Sequence, residues 1–236
     1  MWPEMIEEKK VLAVTLARGG SKSIPKKNIT QINDRPLIDF TIAEANKSNY
    51  IDRYIVSTDD EEIAHISQEC GAEIPFLRPE YLSNDTATSA DALIHAVESV
   101  GEDFDYVVEL MATNPLKRRI HIDECIEKLH FENFDYVVAV KRVWDGHPSR
   151  LKYIQDGFLK DFYPEVPESR RQDLSPEAYI RCGSIYVMKK ESLIQSKARY
   201  GFNTGAYIMP DNAVINIDEP IDLMIARELM GNQVES

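Results

Sequence analysis

"LAVTLARGGSKSIPKKNI", residues 12–29, runs an apolar segment straight into Arg18-Gly19-Gly20-Ser21-Lys22-Ser23-Ile24-Pro25-Lys26-Lys27-Asn28. With Val11 in front, Leu12-Ala13-Val14-Thr15-Leu16 reads as a buried strand. The loop that follows holds four cations and no carboxylate, in a 236-residue chain of formal net charge −13. Open α/β sheets bind ligands outside the carboxyl ends of their strands. A local reversal of charge at such an end marks a candidate anion site.

Outward from this stretch the pattern alternates. Leu37 to Ala45 has the spacing of an amphipathic helix, Tyr54 to Thr58 that of a strand, and Glu61 to Cys70 that of a helix stopped by Gly71. Ser89 to Val100 reads as a third helix, followed by a strand from Tyr106 to Met111, a helix from about Ile120 to Leu129 and a strand from Tyr136 to Val140. Strands separated by helices predict βαβ units, hence an α/β fold with a mostly parallel sheet flanked by helices. Between Lys141 and Tyr179 the rhythm breaks into Pro, Gly, aromatics and charge, with a tight hairpin expected at Asp156-Gly157. It resumes with a strand from Gly183 to Met188 and closes with a helix from Pro220 to Met230. No linker or repeat divides the chain, so residues 1–236 read as one domain with 141–180 as an insertion.

The acidic balance argues against a nucleic-acid partner and against binding to an anionic membrane surface. No run approaches 18 consecutive apolar residues, and the N-terminus lacks the basic start and apolar core of a signal peptide. Three separated cysteines, Cys70, Cys125 and Cys182, offer no zinc or redox spacing. The expectation is a reduced, cytoplasmic protein with a small anionic ligand.

Gly-Gly-Ser-Lys-Ser lacks the second glycine that a P-loop places before its Lys-Ser/Thr pair. A dinucleotide fingerprint needs three spaced glycines and an immediate helix, whereas Pro25 and the run after it delay the helix to about Arg35-Pro36. A solvated basic loop is the plain alternative. Against it, Gly19 and Gly20 let backbone amides approach an anion, and Arg18 and Lys22 suit phosphate oxygens as a planar fork and a mobile point charge. Asn28 offers both donor and acceptor to a base or ribose.

The order strand-Ala-Arg-x-x-Ser-Lys-x-x-Pro-x-Lys-Asn resembles the first motif of the acylneuraminate cytidylyltransferases, the CMP-sialic acid synthetases and bacterial relatives that make CMP-legionaminic acid. The resemblance runs from about Lys10 to Leu229. It implies a nucleotidyltransferase-type, Rossmann-like sheet with a small dimerisation excursion at 141–180. It also implies a reaction in which CTP and a nine-carbon 2-keto-3-deoxy sugar acid, a nonulosonic acid, give the CMP-sugar and pyrophosphate. By the same resemblance Ala17, Arg18 and Asn28 contact the cytidine nucleotide, Lys22 holds the β- and γ-phosphates, and Lys27 lies near the α-phosphate.

Further motifs follow in order. "FLRPEYLSNDTATSADAL" resembles the family segment whose arginine and last serine read the nucleotide, here Arg78 and Ser89. "ELMATNPLKR" matches at Thr113, Pro115 and Leu116 but carries Met111 and Ala112 where the family has glutamine and proline. His147-Pro148-Ser149-Arg150 and Arg171 fall on basic residues for the sugar acid, contributed partly by a neighbouring subunit, so a homodimer with shared active sites is implied. They read equally as an exposed basic cluster beside Glu165, Glu168 and Asp173. Tyr186 falls on a tyrosine near the sugar, Cys182 replaces an asparagine, and Arg199-Tyr200 stands where relatives using common sialic acid carry two phenylalanines. That substitution predicts a different acyl chemistry and favours a bacterial nonulosonic acid such as legionaminic acid.

Two acidic stations have structural readings beside functional ones. Asp59 or Asp60 suits a helix cap. Asp218, in "VINIDEPIDL", reads as an N-cap before Pro220 or as the main ligand of Mg²⁺ with Asn216 beside it, since magnesium is commonly held by one carboxylate with substrate phosphates and waters. The expected chemistry is in-line attack of the anomeric hydroxyl on the α-phosphorus, driven by positioning and by charge from Arg18, Lys22, Lys27 and Mg²⁺. None of the five histidines sits in a motif that would make it a general base. The alternatives are a nucleotidyltransferase for an eight-carbon keto-sugar acid or a sugar 1-phosphate, a nucleotide sensor without catalysis, and an interaction module.

Overall fold

In the computed structural model, residues 6, 8–162 and 170–231 are described, with the side chain of Arg171 excepted. The strands are β1 (Val11–Leu16), β2 (Gln31–Ile32), β3 (Arg35–Pro36), β4 (Arg53–Ser57), β5 (Tyr106–Leu110), β6 (Tyr136–Val143), β7 (Lys152–Gln155), β8 (Phe158–Asp161), β9 (Ala178–Lys189) and β10 (Thr204–Ile208). The helices are α1 (Leu37–Ala45), α2 (Glu61–Glu69), α3 (Ser89–Val100), α4 (Arg119–Phe131), α5 (Lys190–Ser196) and α6 (Pro220–Gly231). Six strands form one sheet in the order β10-β6-β9-β5-β1-β4. β1 pairs in parallel with β4 and β5, and β10 with β6, while β9 is antiparallel to both of its neighbours.

The opening strand is central because it is apolar on both sides. Val11 and Ala13 face a core shared with Ile38, Ile42, Ile63 and Ile122, whereas Leu12 and Val14 face one shared with Leu93, Val107 and Leu193. Helices therefore cover both faces, as a parallel sheet requires. The strand's one polar side chain, Thr15, donates to the Leu110 carbonyl at 2.8 Å and accepts from the Tyr54 hydroxyl at 2.8 Å. No described helix is long and apolar enough to cross a membrane.

The expected α/β order holds, with three differences. The strand read as Gly183 to Met188 is twice that length and antiparallel; it bends at Gly183, at φ +58°, where its register against β6 slips. Its first half, with the end of β6, carries the sheet outward as the base of the 141–180 excursion. Second, α5 and β10 were not expected: α5 spans only seven residues, and β10 is an edge strand with a single buried residue, Gly205. Third, Asp218 does not cap α6. The backbone N–H groups of Asp218 and Glu219 donate to the Asp222 carboxylate at 3.0 and 2.8 Å, so the later aspartate holds that turn.

The Asp156-Gly157 hairpin forms as expected, both residues at positive φ, joining β7 to β8. It is exposed along its whole length, and Ile154, Phe158, Leu159 and Phe162 each keep more than half of their surface open.

Edge packing gives a direct test of the fold. A Cβ at Gly205 in β10 would stand 2.5 Å from the Phe134 ring. Gly205→Ala is expected to destabilise by about 1–3 kcal/mol and to lower the melting midpoint by several degrees. A thermal melt unchanged from wild type would contradict the placement of β10 against Phe134.

Candidate active site

At the carboxyl ends of β1 and β5 lies a cleft of about 590 Å³. Arg18, Lys22, Lys27, Asn28, Arg78, Ser89 and Asp218 all line it, although they are spread over 200 residues of sequence. Ala17 is fully buried behind the loop, its N–H donating to the Ser57 carbonyl of β4 at 3.0 Å.

The basic loop is held by specific bonds. The Asn28 amide donates to the Arg18 carbonyl at 3.2 Å and draws the loop closed. Gly19 passes so close to Asp60 that a Cβ there would meet its carboxylate at 2.6 Å, and the Gly19 N–H donates to Asp59 Oδ1 at 3.2 Å. The first glycine is thus used for contact with the protein's own aspartates, while the position of Gly20 is open. Asp60 caps α2, accepting from the Glu62 and Ile63 N–H groups at 2.9 and 3.0 Å.

Counter-charges sort the four cations. Lys26 pairs with Glu62 and stands outside the cleft lining. Arg18 and Lys22 share one carboxylate, Asp85, at 3.1 and 2.7 Å, and Lys27 pairs with Asp218 at 2.8 Å. Bonds from Lys22 and then Arg18 hold the Asp85 carboxyl below the usual range. Arg78 is buried, donates to the Ser83 hydroxyl at 2.9 Å and lies 3.8 Å from Asp59. Burial pushes its pKa down, and Asp59 opposes that shift. Ser89 opens α3 just after the cap residue Thr88, so the N-terminus of that helix faces the cleft.

Beside Asp218, the Asn216 amide N–H donates to the aspartate, while its oxygen is buried without a partner and faces Gly183. The Ile217 N–H donates to the Thr113 carbonyl at 2.9 Å, tying this segment to the cleft floor. Among the described residues no three or more His, Cys, Asp or Glu side chains cluster as a metal cage.

The floor is made by Leu16, Ala92, Glu109, Met111, Ala112 and Thr113. Glu109 was not anticipated. It is 2% exposed and pairs with Arg199 at 2.7 Å, and burial pushes its carboxyl up against the pull of that arginine. Arg199 in turn lies over the Tyr186 ring, 4.5 Å from its centre. The cation expected to meet an acyl group is therefore already neutralised. The sequence signal was a lone carboxylate inside the apolar strand "YVVELM". Tyr186 is buried and does not line the cleft; it reaches the cleft only through Arg199 and Glu109. Arg150 lies outside the cleft lining, 3.6 Å from Asp145. Arg171 opens a short turn, Arg171–Asp173, and its side chain, like Glu165 and Glu168, lies outside the described residues.

Lys117 was also unforeseen. It is 1% exposed, and its ammonium donates to Thr41 Oγ1 and to the carbonyls of Met111 and Asn114 at 2.6, 2.7 and 2.7 Å. Three neutral acceptors clamp the loop that carries the cleft floor, and burial pushes the pKa down to about 7.

A basic cleft at the carboxyl ends of a mostly parallel, helix-covered sheet defines an anion-binding α/β protein of Rossmann-like type. The cytidylyltransferase pattern matches residues 12–156, and the chain belongs to that family of nucleotidyltransferases. It is 32% identical to a pseudaminic acid cytidylyltransferase of Campylobacter jejuni, over 96% of this chain and 99% of that one. It is 29% identical to a CMP-N,N'-diacetyllegionaminic acid synthase of the same species, over 94% and 95% of the two chains. Its fold is similar to that of a CMP:2-keto-3-deoxy-manno-octonic acid synthetase solved with CTP, with a TM-score of 0.72 at 17% identity over 95% of this chain and 99% of the other.

Burial of Lys117 makes a pH prediction. Its ordinary pKa of 10.5 applies to the unfolded chain, so between about pH 7 and 10.5 the unfolded state holds a proton that the folded state has released. Stability from this group therefore rises with pH across that window. Relative to Lys117→Met, wild type is expected to gain about 1–2 kcal/mol between pH 7 and 9, read by urea unfolding. A gap that does not move with pH would show that Lys117 keeps its proton in the folded state.

Proposed function

We propose that the protein transfers CMP from CTP to a nonulosonic acid, releasing pyrophosphate. The observation that carries this is the convergence of Arg18, Lys22 and Lys27 on one cleft with buried Arg78 and the α3 N-terminus. A triphosphate carries about four negative charges near neutral pH, and a site of this kind suits it. Arg18 and Lys22 then take the β- and γ-phosphates, Lys27 takes the α-phosphate, and Asn28, Arg78 and Ser89 take the nucleoside side with Ala17 behind them. The sugar's anomeric hydroxyl gives its proton to solvent and its oxygen bonds to the α-phosphorus as the bond to pyrophosphate breaks. The cations neutralise charge that builds on the phosphate oxygens.

Asp218 is the residue that would hold Mg²⁺. Its exposed carboxylate beside the phosphate-binding lysine suits an ion held by one protein ligand and substrate phosphates, and the unpartnered Asn216 oxygen lies next to it. When bound, the ion would add positive charge at the phosphates. Asn216 now turns its N–H toward Asp218, so it is the lesser candidate.

The acceptor we favour is a bacterial nonulosonic acid of the legionaminic type, from the departures at Met111, Cys182 and Arg199. An eight-carbon keto-sugar acid is the second reading, favoured by the fold's likeness to the octonic acid synthetase. We also infer a homodimer. The exposed apolar hairpin fits a second copy better than water, and in such a dimer Arg150, outside this protomer's cleft lining, and Arg171 would serve the neighbour's cleft. A cytoplasmic site of action follows from the use of CTP.

Three outcomes test this reading. Pyrophosphate release with CTP and Mg²⁺ is expected with one nonulosonic acid from a panel that includes the eight-carbon acid, and Lys22→Ala should lower turnover by roughly 10²–10³. Release with none of the panel, or a near-normal Lys22→Ala enzyme, would sink the corresponding half of the assignment. Replacing Ile154 and Phe158 together by Asp should give a monomer in light scattering; an unchanged mass would remove the hairpin from the interface.

A further inference from the structure

Asp85 is placed with unusual care for an exposed residue. Asn84 folds the loop ahead of α3 into a turn, its Oδ1 accepting from the Thr86 N–H, the Thr86 hydroxyl and the Ala87 N–H at 2.9, 2.8 and 2.9 Å. Thr88 then caps the helix through the Asp91 N–H at 3.1 Å. The residue between these fixed points extends its carboxylate across the cleft, where one oxygen takes Arg18 and the other Lys22. All three side chains line the cleft, and the two cations come from a different loop more than 60 residues away.

A carboxylate that bridges an arginine fork and a lysine makes the contacts of a phosphate group. We propose that Asp85 is an internal stand-in for the terminal phosphates: it occupies Arg18 and Lys22 until nucleotide binds, is displaced by the polyphosphate of CTP, and re-forms its pairs as pyrophosphate leaves. This rests on reading the cleft as the nucleotide site. The consequence is thermodynamic. Any ligand group at Arg18 and Lys22 must break two ion pairs and accept a nearby negative charge, so Asp85 weakens binding of pyrophosphate and CTP but not of a ligand without phosphates. An enzyme that must release pyrophosphate on every cycle gains from this weakening, because the exchange run backwards assists release.

An opposite role is physically open. Asp85 could hold the two cations in the geometry that phosphates need, and its loss would then weaken binding. The two roles predict opposite signs.

The test is calorimetric titration of the full chain and of its Asp85→Asn and Asp85→Ala variants with pyrophosphate, CTP and cytidine. EDTA is present, so that the anion is read without its metal complex. Asp85 is exposed, and an unchanged melting midpoint checks that both variants fold. Both are expected to bind pyrophosphate and CTP roughly three- to thirty-fold more tightly than wild type, with cytidine affinity unchanged. Equal or weaker pyrophosphate binding in the variants overturns the proposal in favour of a scaffolding role. A cytidine affinity that rises in parallel also overturns it, because the effect would then lie in the loop and not in competition for phosphate. A wild-type chain that binds neither CTP nor pyrophosphate, in EDTA or with Mg²⁺ in its place, overturns the nucleotide reading itself, and this inference falls with it.

Discussion

Everything around the cleft depends on where the four cations of one short loop find their counter-charges. None is supplied locally, so each draws in an acidic residue from another element: Glu62 from α2, Asp85 from the turn before α3, and Asp218 from the approach to α6. Asp59 adds a fourth link, between the Gly19 amide and the buried Arg78. Exposed ion pairs contribute only about 0–1 kcal/mol each, so these contacts are poor candidates for what holds the fold together. That task falls to β1, buried on both faces between two apolar cores. What the charges do is gather segments from across the chain around one opening.

The parts of this arrangement that local pattern encodes were legible in the sequence. An apolar strand without alternation, helices with clear stops and an Asp-Gly turn each announce themselves within about ten residues, and they formed where expected. The cleft-lining residues Arg18, Lys22, Lys27, Asn28, Arg78 and Ser89 were legible for the same reason, because each sits in a short ordered motif. Other features depend on partners that local spacing cannot reveal. Glu109 and Arg199 lie 90 residues apart, and neither has meaning without the other. Lys117 reads as an ordinary surface lysine until three acceptors close over it. The reading of Asp218 as a cap met the same limit: only the backbone shows that the N–H groups of Asp218 and Glu219 turn to Asp222 inside the helix. Direction was lost too, since the apolar pattern of β9 is the same for a parallel and an antiparallel strand.

Charge separates the two halves of the cleft. At the phosphate end the cations range from exposed Lys22 to largely covered Lys27, but their carboxylate partners are exposed, so each pair is open to exchange with an incoming anion. At the floor the Glu109–Arg199 pair is buried, and breaking it would strand a charge in apolar surroundings, a cost of about 3–5 kcal/mol. The first half is built to trade partners and the second to keep them. A sugar substituent meeting that floor thus encounters a fixed, neutral pair backed by Tyr186, in place of the free cation that Arg199 implied alone.

This division places a demand on the rest of the site. The lining contains four cations, Arg18, Lys22, Lys27 and Arg78, but also the carboxylates of Asp85, Glu109 and Asp218. Glu109 is matched by an arginine outside the lining, which leaves the remaining charges only modestly positive. A triphosphate together with the carboxylate of a sugar acid brings about five negative charges. Removing Asp85 from the phosphate end goes part of the way toward balance. The described lining supplies no further cation, so the proposed reading would close the rest at two places: beside Asp218, where a divalent ion would cancel the aspartate and still face the phosphates, and at the sugar end, where a second subunit would bring cations of its own. The proposed magnesium ion and second subunit, separate inferences from sequence, would thus answer one electrostatic shortfall.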